Sequence, residues 1–300
     1  MSSPSKLFRR RHLTGLAFVA PALILFAVFA ATPIVRTFII GFQDYKVVQD
    51  AEFVGFANFE RVTTDPYFAQ AWKNTAYFAL LALLLGFPIP IALAVMINEI
   101  RTGQGYLRLA YYLPVVLPIV VVALMWERFY DVENGLFNAA LGAIGIGPCK
   151  WLNSEAWAMP SLVFMATWKG MGATMLIYLA ALQSLSGELY EAAEIDGAGI
   201  TQRLRHVTLP HLVPHMQIIL ILQLLGTLQV FLEPFLLTNG GPGEPPRTLT
   251  VLLQIYRYAF EDWQLGWAAA AGFILFVVLV MVALFQRWLS QRLGAEGGLG

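Results

Sequence analysis

Charged residues and cysteine are scarce in this sequence, and each scarcity excludes something. Only 13% of its 300 residues are Asp, Glu, Lys or Arg, about half the roughly 25% of soluble domains. The 19 basic residues balance 19 acidic ones, so no net field gathers nucleic acid or an acidic partner. The single cysteine, Cys149, permits neither an intrachain disulfide nor a thiolate cage for zinc, which takes about four ligands. None of Lys6, Lys46, Lys73, Lys150 and Lys169 follows a glycine, so no GxxxxGK(S/T) phosphate cradle exists. No serine sits in a G-x-S-x-G turn, which removes a common hydrolase nucleophile. His211 and His215 stand four apart, as in HExxH zinc helices, but Leu212 replaces the Glu base and Pro214 interrupts the turn. No catalytic residue, metal ligand or cofactor site is assigned.

Long apolar runs fill the space that charge leaves. The chain is 58% hydrophobic with a mean hydropathy of +0.65. A hydrocarbon core near 30 Å thick needs roughly 20 apolar residues in helix. The segments 13–35, 74–97 and 265–286 carry no Asp, Glu, Lys or Arg, and 109–126 is just long enough. Two further runs carry one charge each, 156–182 with Lys169 and 212–237 with Glu233. The sequence therefore predicts an all-α membrane protein with six transmembrane helices, at about 13–42, 73–98, 108–127, 156–182, 211–238 and 264–287. A secretory leader is the other reading of the start, but the apolar run outlasts the roughly 7–15 residues of a signal core.

Basic residues in the connections set the orientation, because their translocation is disfavoured. With the amino end inside, the inner segments hold Lys6, Arg9, Arg10, Arg11, Arg101, Arg108, Arg203, Arg205, Arg287 and Arg292. The outer ones hold Lys46, Arg61, Lys73, Arg128, Lys150, Arg247 and Arg257, spread over more residues. Both termini are expected to be cytoplasmic: a basic N-terminus 1–12, a six-helix domain 13–290 and a tail 288–300. The one long inner loop is 183–211.

That loop reads SLSGELYEAAEIDGAGITQRLRHVTLPHLVP. Ser186 can cap a helix with Glu188 in its first turn, at the positive end of the dipole. Leu189, Ala192 and Ala193 make a narrow apolar stripe beside Glu188, Glu191 and Glu194. Gly197 supplies a stop and Thr201 a second cap, and Pro210 suits the first turn of the next span. Such a hairpin either lies on the lipid surface or docks into another protein through its alanines and carboxylates.

Here the residues carry a resemblance. Glu191-Ala192-Ala193, three residues, Gly197, nine residues, then Val207-Thr208-Leu209-Pro210 resembles the EAA loop of permease subunits of bacterial binding-protein-dependent ABC importers. Asp196, Ala198 and Pro214 are similar to the carbohydrate branch. So are Phe53-Val54-Gly55 with Asn58-Phe59, Asn74-Thr75, Leu113-Pro114 through Trp126, Gly135-Leu136-Phe137-Asn138, and Leu236 through Gly243. Val207 stands where Ile is usual, and Leu204 where the family usually has an aromatic residue.

The resemblance implies a type I ABC importer permease fold in a bacterial inner membrane. It implies a second permease subunit, two ATPase subunits that bind ATP and Mg, and an extracytoplasmic sugar-binding protein. ATPase coupling would fall to Glu191, Ala192, Ala193, Asp196, Gly197, Ala198, Leu204, Leu209 and Pro210. Sugar sites combine flat aromatic faces with polar groups, which makes Trp168, Lys169, Gln223, Gln229, Glu233 and Asn239 the substrate-pathway candidates. Ionised residues inside a span are costly and avoid lipid. At 1.5 Å per residue Lys169 lies about 18 Å deep and Glu233 about 7 Å. A direct pair needs a broken or tilted helix, which Pro234, Gly170 or Gly172 could provide. Lys169 then faces either the aqueous pathway or another helix. The competing function is an ATP-independent secondary transporter, which broken helices repeated in two similar halves would signal; no such repeat is found.

Overall fold

A computed structural model describes residues 4–45, 51–100 and 102–296. Lys46 and Arg101 of the charge count, the first three residues of the basic N-terminus and the last four of the tail lie outside the described residues. The chain is helical apart from loops and one short antiparallel pairing, Gln43 with Phe53 and Asp44 with Glu52. It divides into two compact units, one made by the chain up to Thr64 with Ile255–Ile274, the other by Asp65–Gln254 with the chain from Leu275 onward.

The first unit opens with α1 (Pro4–Phe26), a π turn (Ala27–Ala31) and α2 (Thr32–Ile40). Together they form an unbroken apolar rod over Gly15–Ile40 with nothing buried; Phe18 and Phe29 are 82% and 75% exposed. A surface this apolar is covered by lipid or by another chain. The strands β1 (Gln43–Asp44) and β2 (Glu52–Phe53) and helix α3 (Ala57–Thr64) follow. Buried Asn58 joins them: its Nδ2 donates to the carbonyls of Gly41 at 3.0 Å and Gln43 at 2.9 Å.

In the second unit, α4 (Pro66–Gly86) and α5 (Pro88–Glu99) build the second span. Asp65 starts it, its Oδ1 accepting from Tyr67 N at 2.9 Å, with Pro66 at the first helical position. Next come α6 (Gln104–Val116), α7 (Ile119–Phe129) and α8 (Leu136–Ala143), then α9 (Ala158–Gln183), α10 (Gly187–Ile195) and α11 (Ile200–Arg203). A π segment, Leu204–Thr208, leads into α12 (Leu209–Leu228), followed by α13 (Leu232–Leu237). Helices α14 (Val251–Tyr256) and α15 (Leu265–Glu296) complete the chain, each with residues in both units.

Among the described residues five helices are long and apolar enough to cross a membrane, or up to six with the bent α6–α7 pair as one span. The run expected as a single helix over 108–127 is thus two, meeting at 100°. Pro118 has no N–H to continue α6, and it holds Leu117 in the extended region at φ −67°, ψ 136°. Hydropathy measures apolar length and is blind to direction. The run 211–238 also breaks, between Leu228 and Leu232, ahead of Pro234.

The two glycines expected as possible breaks in α9 leave it continuous. Gly172 serves close packing instead. A Cβ there would meet the backbone of Tyr111, its carbonyl carbon at 2.7 Å, and Tyr112 Cα at 3.0 Å. Helices in lipid are held by van der Waals fit between small residues more than by apolar transfer. Helix α9 is the centre of the unit, packed against α4, α5, α6 and α12. Its Met175, Tyr178, Leu179 and Leu182 are buried with Ile97 of α5 and Leu212 of α12.

Candidate functional site

The loop 183–211 forms as its local chemistry dictates. Ser186 Oγ accepts from Glu188 N at 3.3 Å to start α10. Gly197, at φ +77°, ends it, with Ala198 N donating to Ala193 O at 2.9 Å and Gly197 N to Glu194 O at 3.0 Å. The second cap is not Thr201: Gln202 Oε1 accepts from Gly199 N at 2.9 Å and the helix starts at Ile200, two residues earlier than a Thr201 cap would start it. Helix α10 buries no residue, and Glu191, Ala192 and Asp196 are exposed, as is Ile195 at 86%. Ala193 and Ala198 are half-buried.

Two contacts tie this exposed helix to the next stretch of chain. Glu194 pairs with Arg203, and the Tyr190 hydroxyl lies 2.9 Å from that of buried Thr208. Both partners belong to one helix that runs from Thr201 to Leu228, about 42 Å long. Pro210 therefore sits inside a continuous helix. Its missing N–H and bulky ring are accommodated by the π segment, where Leu209 N donates to Leu204 O one residue further back than in an α-helix. Leu204 is half-buried at the start of that wide turn, Leu209 is half-buried and Pro210 is exposed.

At its other end α12 walls a cavity of about 620 Å³ between α4, α9 and the broken α12–α13 segment. Gln223, Gln229 and Glu233 line it. The sequence overlooked their neighbours Thr167, Thr174, Thr227, Phe78 and Phe231. Thr167 and Thr174 are seven apart and so share a face of α9, the one periodic signal available. Gln223 Nε2 donates to Ala82 O at 2.7 Å across to α4, and Gln229 Nε2 to Leu225 O at 2.9 Å. The Phe231 ring stacks on Phe235 at 5.0 Å and 18°. The cavity thus offers a flat aromatic wall, threonine hydroxyls, two amide oxygens and one carboxyl group.

The other three pathway candidates lie elsewhere. Lys169 Nζ donates to Val115 O at 3.4 Å, one of the last carbonyls of α6, left without a helical partner by the bend at Pro118. A cation there also opposes the negative end of the helix dipole. No ion pair joins Lys169 to Glu233 among the described residues. Trp168 belongs to an aromatic cluster, 5.4 Å from Trp126, which is itself 5.4 Å from Tyr130. Burial pushes the Tyr130 phenol well above its ordinary value, outweighing the lowering from its hydrogen bond to Ser161. Asn239 is exposed in the left-handed region at φ +45° and opens the glycine-rich turn. Among the described residues no three metal-ligating side chains converge; His211 Nε2 donates to Ala181 O at 3.0 Å, one of the last carbonyls of α9.

Two further asparagines hold the loops outside the cavity. Asn74 Nδ2 donates to Pro246 O at 2.9 Å and Leu249 O at 2.8 Å, while Thr75 Oγ1 accepts from Val251 N at 3.0 Å. Asn138 donates to the carbonyls of Val132 and Cys149, both at 3.0 Å. Its oxygen accepts from Cys149 N at 3.0 Å and Trp151 Nε1 at 2.9 Å. Lys73 and Arg247, the latter bonded to Glu155 at 2.9 Å, line a separate recess of about 430 Å³.

Comparison with known proteins fits this geometry. The family described as binding-protein-dependent transport system inner membrane component matches residues 86–295. The arabinooligosaccharides transport system permease protein AraP of Bacillus subtilis is 30% identical over 97% of this chain and 93% of that protein. The trehalose/maltose transport system permease protein MalF of Thermococcus litoralis is 34% identical over 92% and 93%. A crystal structure of a bacterial alginate ABC transporter, in complex with an alginate pentasaccharide-bound periplasmic protein, matches with a TM-score of 0.85 and 31% identity, covering 97% of this chain and 98% of that one. With the family matched over more than two thirds of its length, this chain belongs to the inner membrane components of binding-protein-dependent transport systems.

Proposed function

We propose that the chain is one of two permease halves of an ATP-driven importer that moves a carbohydrate across the bacterial inner membrane. One observation carries the reading: an exposed helix, α10, is fastened by Tyr190 and Glu194 to the same 28-residue helix that walls the cavity. A push on α10 is thereby delivered to Gln223 and Thr227. The polar fittings of the cavity suit a hydroxyl-rich solute, and arabinooligosaccharides, trehalose or maltose, and alginate are what the similar proteins are named for.

In this reading the bent α6–α7 pair counts as one of six spans, and both termini are cytoplasmic. ATPase subunits, carrying ATP and Mg, meet Glu191, Ala192, Ala193, Asp196, Gly197 and Ala198. Leu204, Leu209 and Pro210 set the angle at which the loop joins α12. A sugar-bearing binding protein delivers solute to the outer loops. Membership of a binding-protein-dependent family leaves the ATP-independent transporter without support.

Purification from the host membrane tests this. An ATPase subunit should co-purify and be lost with Glu191→Lys or Gly197→Pro. Solute uptake by the chain alone, without ATP, would refute the reading.

A further inference from the structure

The cavity is sparing in charge. Glu233 is its single ionisable lining residue, and no Lys, Arg or His lines it among the described residues. The one basic residue on the neighbouring stretch of α9 is Lys169, between the lining residues Thr167 and Gly170. At about 100° per residue it lies about 120° around the helix from the centre of the lining face. Its ammonium donates to the Val115 carbonyl, so its charge reaches Glu233 from outside the lining and offsets the carboxylate only in part. The other cations of the unit that face a recess stand on separate pockets, Lys73 and Arg247 on one and Lys150 on another; Lys73 precedes Ala82 by nine residues of α4, about 13 Å.

From this we infer that the half of the pathway built by this chain selects by charge. It admits uncharged sugars and amino sugars, held by Glu233, and turns away sugars bearing a carboxylate, sulfonate or phosphate. The inference deepens the carbohydrate reading above and rests on it.

The chemistry is set by the groups each class of sugar meets. Two neighbouring sugar hydroxyls can donate to the two oxygens of an ionised Glu233, and an ammonium gains a charge-assisted bond in the same place. The stacked Phe231 takes the apolar face of the ring. An anion meets a wall lined mostly by apolar residues and glycine, with no positive group among them to replace its lost water. An ionised Glu233 repels it. A protonated Glu233 offers it one hydrogen bond and no opposite charge. Both states of the carboxyl act in the same direction.

The test uses the assembled importer purified without its binding protein, so that the binding protein's own preference plays no part. Equilibrium dialysis measures three matched, radiolabelled β-1,4 disaccharides built from glucose, glucosamine or glucuronate. The glucose and glucosamine forms should bind, with the glucuronate form at least about 100-fold weaker. Glu233→Gln should keep the glucose form within about tenfold and narrow the glucuronate gap to about tenfold. Glucuronate binding equal to glucose in the native complex would overturn the charge selection alone. An unchanged gap in Glu233→Gln would overturn the part assigned to Glu233. Binding of none of the three would overturn the carbohydrate reading and this inference with it.

Discussion

Substitution of Gly172 by alanine should cost the permease measurable stability, although alanine is the better helix former. The added Cβ would stand 2.7 Å from the Tyr111 carbonyl carbon, with the carbonyl oxygen nearer still, where ordinary contact begins at 3.4 Å. Backbone cannot swing aside as a side-chain tip does, so α6 must retreat by at least about 0.7 Å along its packing face, the difference between those two distances, and further to clear the nearer oxygen. Overpacking of this kind costs roughly 1–3 kcal/mol. The propensity gain of alanine over glycine returns about 1 kcal/mol. Gly170, two residues earlier on the same helix, supplies the control, because a Cβ there meets nothing within 4 Å. Gly170→Ala keeps the propensity gain without the clash, so the two variants should differ by the full overpacking cost. At about 2–4 °C per kcal/mol for a chain of this order, Gly172→Ala should melt on the order of 5 °C below Gly170→Ala. Tryptophan fluorescence during heating in one detergent measures both. Equal melting, or Gly172→Ala melting higher, would refute the close approach of α6 and α9.

Three more outcomes rest on named contacts. Asn138→Ala strands the half-buried Cys149 N–H and Trp151 indole, at about 1–3 kcal/mol for such a group where water does not replace the lost partner; a melting temperature within about 2 °C of native, the shift of roughly 1 kcal/mol, would contradict this. Tyr190→Phe removes the hydroxyl contact to Thr208 for about 0.5–1.5 kcal/mol, leaving the fold intact. ATP consumed per solute imported should rise in proteoliposomes, and an unchanged ratio would show that coupling runs by another route. Lys169→Met gives up a charged hydrogen bond of roughly 1.5–3 kcal/mol and also relieves the roughly 2.5–3.5 kcal/mol needed to hold a cation at a helix centre. Stability should stay near native and neutral-sugar affinity unchanged by dialysis, whereas a large loss of affinity would return the ammonium to the pathway.

Features fixed by neighbours in the chain were legible from residues alone. Ser186, Gly197 and the boundaries of α10 follow from capping and from a left-handed glycine, both decided within about five residues. The apolar runs marked where rods lie, since length and hydropathy are local sums. What escaped were properties of pairs distant in sequence. Lys169 sits 54 residues from the carbonyl it serves, and its depth in the helix said nothing of azimuth. Gly172 was legible as a flexible residue but not as a contact, because its partner is on α6. The asparagines at 58, 74 and 138 stood out only through resemblance; their use as clamps depends on carbonyls brought near by folding. Three of the six pathway candidates line the cavity, and the threonines beside them were missed because a small hydroxyl in an apolar run has no distinctive pattern.

The wide turn at Leu204–Thr208 also fixes an azimuth. Because it holds one residue more than an α-turn, everything before it is rotated by about 100° relative to everything after. The face of the helix that carries Arg203 toward Glu194 is thereby indexed against the face that carries Gln223 toward the cavity. Deleting a single residue within the turn would leave every hydrophobic span intact and swing α10 about a quarter of the way around the helix axis. The chain would still insert, but its handle would point in the wrong direction.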